Sequence, residues 1–309
     1  PGYQSIAKVS IIKKLFGIRR LATQLEINYD APSTLSTDIY WRSKANLNLV
    51  NDFSDACHIL TRMYLPMVFL EGFSSLYQCS NKYVHKYLFS DNHMLWDTSS
   101  KFISSTWSNE SLLFCHQHGG GYGIDYFNPA EDYEKKISNT FYTWGWKDSE
   151  KTRILSVKPR IIHLEKTHIQ HNKILIVCVN YPKNFYKLGF YHQGKNNLNL
   201  IKDTIQISDR IKSLDVEIKY YPHDYGWDIK GYFYNSNVFI PEISNKFSQY
   251  GLYICNYVGT TWLETLYANK PTICYYDPKV LYFRKPFLPF LKILLSVGIF
   301  HTSIDSLVD

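Results

Sequence analysis

The chain has no apolar run long enough to span a membrane, no Cys-x-x-Cys pair among its six cysteines, and no internal repeat or low-complexity segment. The longest apolar stretch near the C-terminus, PFLPFLKILLSVGIF, falls short of the roughly 20 residues a spanning helix needs and contains Lys292. Cys115, Cys178, Cys255 and Cys274 sit in or beside apolar, strand-like runs. With Cys57 and Cys79 they read as reduced residues of a cytoplasmic protein, not as a disulfide framework. No signal peptide is visible. The chain begins at Pro1 without a Met, so it reads as part of a longer protein. No motif for reading bases accompanies its positive charge, which argues against nucleic acid as a partner.

What is present is material for a large core. The 309 residues are enough for two domains, and 45% hydrophobic with 20% charged residues is an ordinary globular balance. A net charge of +7 suits anionic substrates or an anionic membrane face as well as a merely solvated surface. The 17% aromatic content, with 26 Tyr, fills a core or lines a sugar or nucleotide cleft.

Periodicity divides the chain into alternating elements. Apolar spacing is helical from about 45 to 78, with an interruption at Pro66. SLLFCHQ reads as a buried strand, NPAEDYEKKIS as a helix with its acids first and lysines last, and NTFYTWGW as another strand. A charged stretch near 147–170 is the candidate linker. Beyond it KILIVCVN is the strongest strand, followed by a helix in LNLIKDTIQISDRIKSL and a strand in VEIKYYPHD. YGLYICNY, TTWLETLYAN and PTICYY then read as strand, helix and strand, the helix stopping before Pro271. Such alternation predicts parallel sheets with helices on both faces, and its presence on both sides of the linker suggests two Rossmann-like halves.

Three stretches carry candidate chemistry. In HQHGGGYG, the residues Gly119, Gly120, Gly121 and Gly123 follow a strand, where open α/β sheets place ligands, and glycine permits close backbone approach. Their spacing is neither Gly-x-Gly-x-x-Gly nor the Gly-x4-Gly-Lys of a nucleoside-triphosphate loop. His116 and His118 alternate along the strand and so face opposite ways, which disfavours joint metal ligation even with His163, His168 and His171 nearby in sequence. Either imidazole could serve as general base or donor, or as a hydrogen-bonded structural group; His118 is preferred because it abuts the glycines. In NYVGTTWLET, Gly259, Thr260 and Thr261 turn from strand to helix, offering hydroxyls and N–H groups to an anion or simply a helix cap. Glu264 could reach a ribose hydroxyl or complete a capping box with Thr261. In KYYPHDYGWDI, His223 follows a strand and could contact a phosphate or sit in the cleft, while Asp224 could equally be a turn residue.

Taken together, MYLPMVFLEGF, HQHGGGYG, ISNTFYTWGW, YYPHDYGW, NYVGTTWLETLYANKPT and VGIFHTS resemble, in that order, transferases encoded in bacterial O-antigen and surface-carbohydrate clusters. The resemblance spans roughly residues 60 to 305, in a chain shorter than members of that family. It implies an α/β, GT-B-like architecture of two Rossmann-like domains facing a cleft. Residues 1–155, with leading helices, would form the acceptor side and 156–309 the donor side. More distantly the motif order is similar to Kdo transferases, sialyltransferases and teichoic-acid polyol-phosphate transferases.

By position, the resemblance makes His118 the catalytic group, with His116 and Asp125 beside it. It makes Gln117, Gly119, Gly120, Gly121 and Tyr122 the substrate loop. Thr260 and Thr261, with Gly259, Glu264 and His223, would hold the donor's phosphate and nucleotide. Two departures stand out. The Glu-Asp-Gly of the Kdo enzymes is replaced by Gln117-His118-Gly119, so a carboxylate is missing there unless Asp125 or Glu134 supplies it, whereas His118-Gly119 matches the polyol-phosphate enzymes. The His-Pro element is reversed as Pro222-His223. The implied reaction uses a nucleotide sugar, CMP- or CDP-linked by preference, a saccharide or lipid-linked acceptor, and neither metal nor cofactor. It would take place in the cytoplasm, peripherally at an anionic inner membrane.

Overall fold

The computed structural model describes residues 37–43, 51–80, 84–90, 92–154, 170–184, 194–221, 223–233, 237–239 and 250–309. The chain divides into two compact units, one of residues up to Leu88 with Trp96–Leu112, the other of Phe89–Leu95 with Leu113–Asp309.

The first unit is helical: α1 (Ile39–Ser43), α2 (Phe53–Tyr64), a 3-10 turn (Met67–Phe69) and α3 (Phe73–Ser80). Asp52 caps α2 by accepting from the Asp55 amide, and Pro66 precedes the 3-10 turn, so the expected break falls there. Arg42 closes the far end of α2, donating to the carbonyls of Arg62, Met63 and Leu65. Its hydrogen bonds to Glu71 hold that carboxyl down at about 2. After β1 (Tyr87–Ser90) and α4 (His93–Trp96), α5 (Thr98–Thr106) returns to this unit. There Phe102 meets Phe73 edge-on at 5.2 Å, and Leu76, Ile103 and Trp107 complete a small core.

The second unit holds two sheets. A four-stranded sheet has the order β1-β2-β3-β4, with β2 (Leu112–His116), β3 (Thr140–Thr143) and β4 (Thr152–Ile154). Both β2–β3 and β3–β4 are parallel, and α6 (Pro129–Ile137) supplies the crossover from β2 to β3. Pro129 occupies the first turn of α6, and Asn128 caps it by accepting from the Glu131 amide. The front of the expected linker is therefore a strand, β4, paired through Phe141↔Thr152; residues 155–169 lie outside the described residues.

The second sheet comprises β5 (Gln170–Val177), α7 (Lys195–Arg210), β6 (Asp215–Lys219), α8 (Ile229–Tyr232), β7 (Asn237–Phe239), β8 (Tyr250–Cys255), α9 (Thr261–Tyr267) and β9 (Thr272–Tyr275). A 3-10 turn (Lys285–Phe287), α10 (Leu288–Ser296), β10 (Phe300–His301) and α11 (Ile304–Val308) complete it. Its order is β10-β9-β8-β5-β6-β7, and each neighbouring pair is parallel. The central β5 is buried on both faces, which is why its sequence is a nearly continuous apolar run. Leu175 and Val177 join Tyr253, Trp262 and Phe300 on one side, while Ile174, Ile176 and Cys178 join Ile201, Ile207 and Ile218 on the other. The chain leaves β5 in one direction through β6 and β7 and returns to its other edge as β8. That reversal opens a crevice at the carboxyl ends of β5 and β8, where ligands settle in open α/β sheets. Among the described residues no helix is long and apolar enough to cross a membrane.

Candidate functional site

The loop after β2 meets the turn after β8 in this crevice. The Gly120 amide donates to Thr260 Oγ1 at 3.0 Å, joining residues 140 positions apart. A side chain at Gly120 is impossible in this arrangement: its Cβ would stand 2.1 Å from the Gly259 carbonyl oxygen. Gly259 is equally closed, because a Cβ there would lie 1.9 Å from the Tyr257 ring. Thr260 is the residue before α9, yet its side chain makes no capping bond; the oxygen points to the other loop. The capping box of Thr261 with Glu264 likewise does not form; Thr261 Oγ1 is 3.5 Å from the Tyr257 hydroxyl.

Gln117 clamps the other side of the loop. Its buried side chain donates to the Gly119 carbonyl at 2.9 Å and accepts from the Trp144 amide at 3.0 Å and Trp146 Nε1 at 2.8 Å. Every polar position of that amide but one is thereby used to fix the loop against the end of β3. Gly121 is pressed on Asp125, and Gly123, at φ +73°, lies flat on the Trp146 ring. The missing side chains at 120, 121 and 123 thus make room for the protein itself. Gly119 differs, since a Cβ there would meet Thr260 Oγ1 at an ordinary 3.7 Å.

His118 is part of a chain of polar groups. Its Nδ1 is 3.1 Å and its Nε2 3.3 Å from the Tyr122 hydroxyl, which donates to Glu134 Oε2 at 2.8 Å. The same carboxylate oxygen lies 3.9 Å from His118 Nδ1. Burial, with Glu134 alongside, holds the Tyr122 phenol far above its usual pKa, so it stays a hydroxyl. Glu134 is wholly buried, whereas the His118 side chain keeps 25% of its surface exposed, enough to meet a substrate. His116 faces away and uses Nδ1 on the Gln117 carbonyl at 2.8 Å.

Beneath the loop lies a second acidic group. Glu131, also wholly buried, accepts from the Gly123 amide at 2.7 Å and from Arg284 Nη1 at 2.5 Å, with Lys135 at 3.5 Å. Arg284 further donates through Nε to the Asp125 carbonyl at 2.7 Å. Asp125 has a carboxyl oxygen with no partner among the described residues, and burial pushes its pKa up to about 8 despite Arg284 nearby. It is held under Gly121 and not presented to solvent.

His223 stands apart from this cluster. It is exposed after β6, ringed by Tyr221 at 5.9 Å and Tyr225 at 5.6 Å. Asp224 is the turn residue, its carboxylate accepting from the amides of Gly226, Asp228 and Ile229. Of the histidines weighed as metal ligands, His163 and His168 lie outside the described residues, as does the side chain of His171. Among the described residues no group of three or more His, Cys, Asp or Glu is placed to hold a metal ion.

A family model described as LIC12162 family transferase matches residues 4–307. The chain belongs to the LIC12162 transferase family. None of the curated proteins compared with it matches. In this family member, several residues that build the site carried little sequence signal. Glu131 reads as a first-turn acid for the dipole of α6 and Glu134 as a possible stand-in for the missing carboxylate, but both are buried and face inward. Their three-residue spacing, which places both on one helical face, was the available clue. Arg284 had none, because its partners lie some 150 residues earlier. Asn256 directly follows β8 in YICN, and Asn180 lies three residues past β5 in VCVN. Asn256 joins the strands through the Val177 carbonyl and the Val179 amide, and Asn180 holds the carbonyls of His223 and Asp224.

Proposed function

We propose that this transferase is a glycosyltransferase of bacterial surface-polysaccharide synthesis, of the O-antigen or capsule kind. It moves a sugar from a nucleotide-activated donor, CMP- or CDP-linked by preference, to a saccharide or lipid-linked acceptor. In this reading the two sheets belong to Rossmann-like domains of a GT-B-like enzyme, the first serving the acceptor and the second the donor. The enzyme works at the cytoplasmic face of an anionic membrane. The observation that carries the reading is the contact of Gly120 with Thr260, which sets an accessible imidazole and a pair of hydroxyls at one crevice.

The chemistry follows from those groups. His118 takes the proton of an acceptor hydroxyl as that oxygen attacks the anomeric carbon. The bond from that carbon to the nucleotide's phosphate oxygen breaks, and the departing phosphate is held by Thr260 and Thr261. Tyr122 accepts the N–H of the protonated ring and passes its own proton's hydrogen bond to Glu134, whose charge balances the imidazolium. Glu264 and His223 serve the nucleotide's ribose and phosphate. A polyol-phosphate transfer is the second reading, favoured by one feature: the residue offered to the acceptor is an imidazole and the carboxylates are buried behind it. That reaction attacks phosphorus and leaves a phosphodiester in the product, which phosphorus NMR separates from a glycoside.

Calorimetric titration with CMP, CDP, UDP and GDP tests the donor site. One nucleotide is expected to bind, and changing Thr260 and Thr261 together to Val is expected to weaken it about tenfold or more, the loss of hydrogen bonds to a charged group. A folded protein that binds none of the four would overturn the reading.

A further inference from the structure

The last residue of β6 is a lysine whose charge the described residues leave unanswered. Val177 of β5 stands in register with Lys219 on one side and with Cys255 of β8 on the other, so the three form a row at the carboxyl end of the sheet. Residues in such a row share a face. Val177 and Cys255 belong to the buried cluster that also holds Trp262, so Lys219 projects from the face on which α9 packs and is half-buried at its margin. Two residues earlier on that face, Glu217 has its charge met by Lys173 and by the Tyr250 hydroxyl. The Lys219 ammonium has neither an ion pair nor a hydrogen bond among the described residues.

Its surroundings are those of the crevice. Burial pulls the Lys219 pKa below the ordinary lysine value, partly offset by Cys178, Glu264 and Cys255 nearby. The same three residues neighbour the Tyr257 hydroxyl, which lies 3.5 Å from Thr261 Oγ1. The ammonium and the two hydroxyls therefore belong to one neighbourhood at the strand ends. Other cations of this unit are engaged: Arg284 with Glu131 and the Asp125 carbonyl, Lys183 over the Trp227 ring. A partly buried ammonium without a counter-ion destabilises a fold, and an anion entering beside it removes that cost.

We propose that Lys219 is the positive charge that receives the donor's phosphate, with the Tyr257 and Thr261 hydroxyls beside it. The assignment rests on the proposed nucleotide-activated donor. It adds what threonine hydroxyls lack, a full charge, whose attraction strengthens as the leaving phosphate gains negative charge on bond cleavage.

Inorganic pyrophosphate is the probe, because it presents phosphate without a base or a sugar. Calorimetric titration should show saturable binding to the parent, weakened about tenfold or more in Lys219→Met by loss of a charge-assisted bond. Lys212→Met removes an exposed lysine before the amino end of β6, at the opposite edge of the sheet, and should change binding less than about twofold. Without pyrophosphate, Lys219→Met should melt at or above the parent's temperature, since it keeps the aliphatic stem and removes an unpaired charge. A lower melting temperature would show that the fold itself answers the ammonium, and would overturn the inference. Absence of pyrophosphate binding, or binding that Lys219→Met leaves unchanged, would overturn it too. Equal losses in the two variants would mark a general effect of net charge, with the same consequence. These titrations contain no nucleotide. Pyrophosphate binding that depends on Lys219, in a protein that binds none of the four nucleotides, would strike the proposed reaction and leave this site standing.

Discussion

The Gly120 amide and the Thr260 hydroxyl oxygen are 3.0 Å apart, and the backbones behind them are closer than any side chain at Gly120 would allow. Gly120→Ala must therefore push the two loops apart. Overpacking of this kind costs about 1–3 kcal/mol. The expected result is a lower melting temperature together with weaker nucleotide binding, read by calorimetry on the same sample. Gly119→Ala is the control, because its Cβ meets only ordinary contacts. Equal effects of the two substitutions would show that the loop contact is not what positions Thr260.

Tyr122 links an accessible imidazole to a buried carboxylate. Tyr122→Phe removes the link and leaves Glu134 and His118 in place. Turnover is expected to fall by about 10- to 100-fold with KM nearly constant. Turnover equal to the parent's would remove Tyr122 from the mechanism.

Asp125 makes the fold less stable as pH rises. Its pKa is pushed up to about 8 in the folded chain, against about 4 in an unfolded one. Below that window both states hold the proton and nothing is lost. Between the two values the unfolded chain ionises and the folded one does not, so stability falls; above about 8 the penalty is complete. Asp125→Asn should remove this slope. Denaturant midpoints of the variant and the parent should converge at pH 4 and separate at pH 9 in the variant's favour, by the order of a few kcal/mol at about 1.4 kcal/mol per unit. A midpoint difference independent of pH would show that Asp125 titrates normally.

Arg284 braces the loop from a segment beyond β9, through the Asp125 carbonyl and the Glu131 carboxylate. Arg284→Met keeps the aliphatic packing but leaves buried Glu131 with the Gly123 amide and, at 3.5 Å, Lys135. Breaking a buried pair by removing one partner costs about 3–5 kcal/mol. Replacing both, with Glu131→Gln added, should recover part of that loss, and thermal melts of the single and double variants measure it. Additive losses would mean the pair does not act as a unit.

Much of the architecture was legible in the sequence because it follows from local rules. The apolar run KILIVCV marks a strand buried on both faces, Pro66 breaks a helix wherever it is placed, and Asn128-Pro129 opens α6 by its own chemistry. β4 was hidden in the charged stretch because three residues at a sheet edge, two of them exposed, leave no periodic signal. The positions of HQHGGGYG and GTTWLET at strand ends were also readable, since both follow apolar runs. Tertiary structure alone decided what those motifs do. Thr260 would cap α9 on local grounds, but the approach of a loop 140 residues away supplies a better use for its oxygen. Glu131 and Glu134 would face solvent by composition, yet Arg284, Gly123 and Tyr122 make burial affordable by satisfying them. Helices and strands are set by neighbours along the chain; the partners of a buried charge or a bare glycine are set by whatever the fold brings against it.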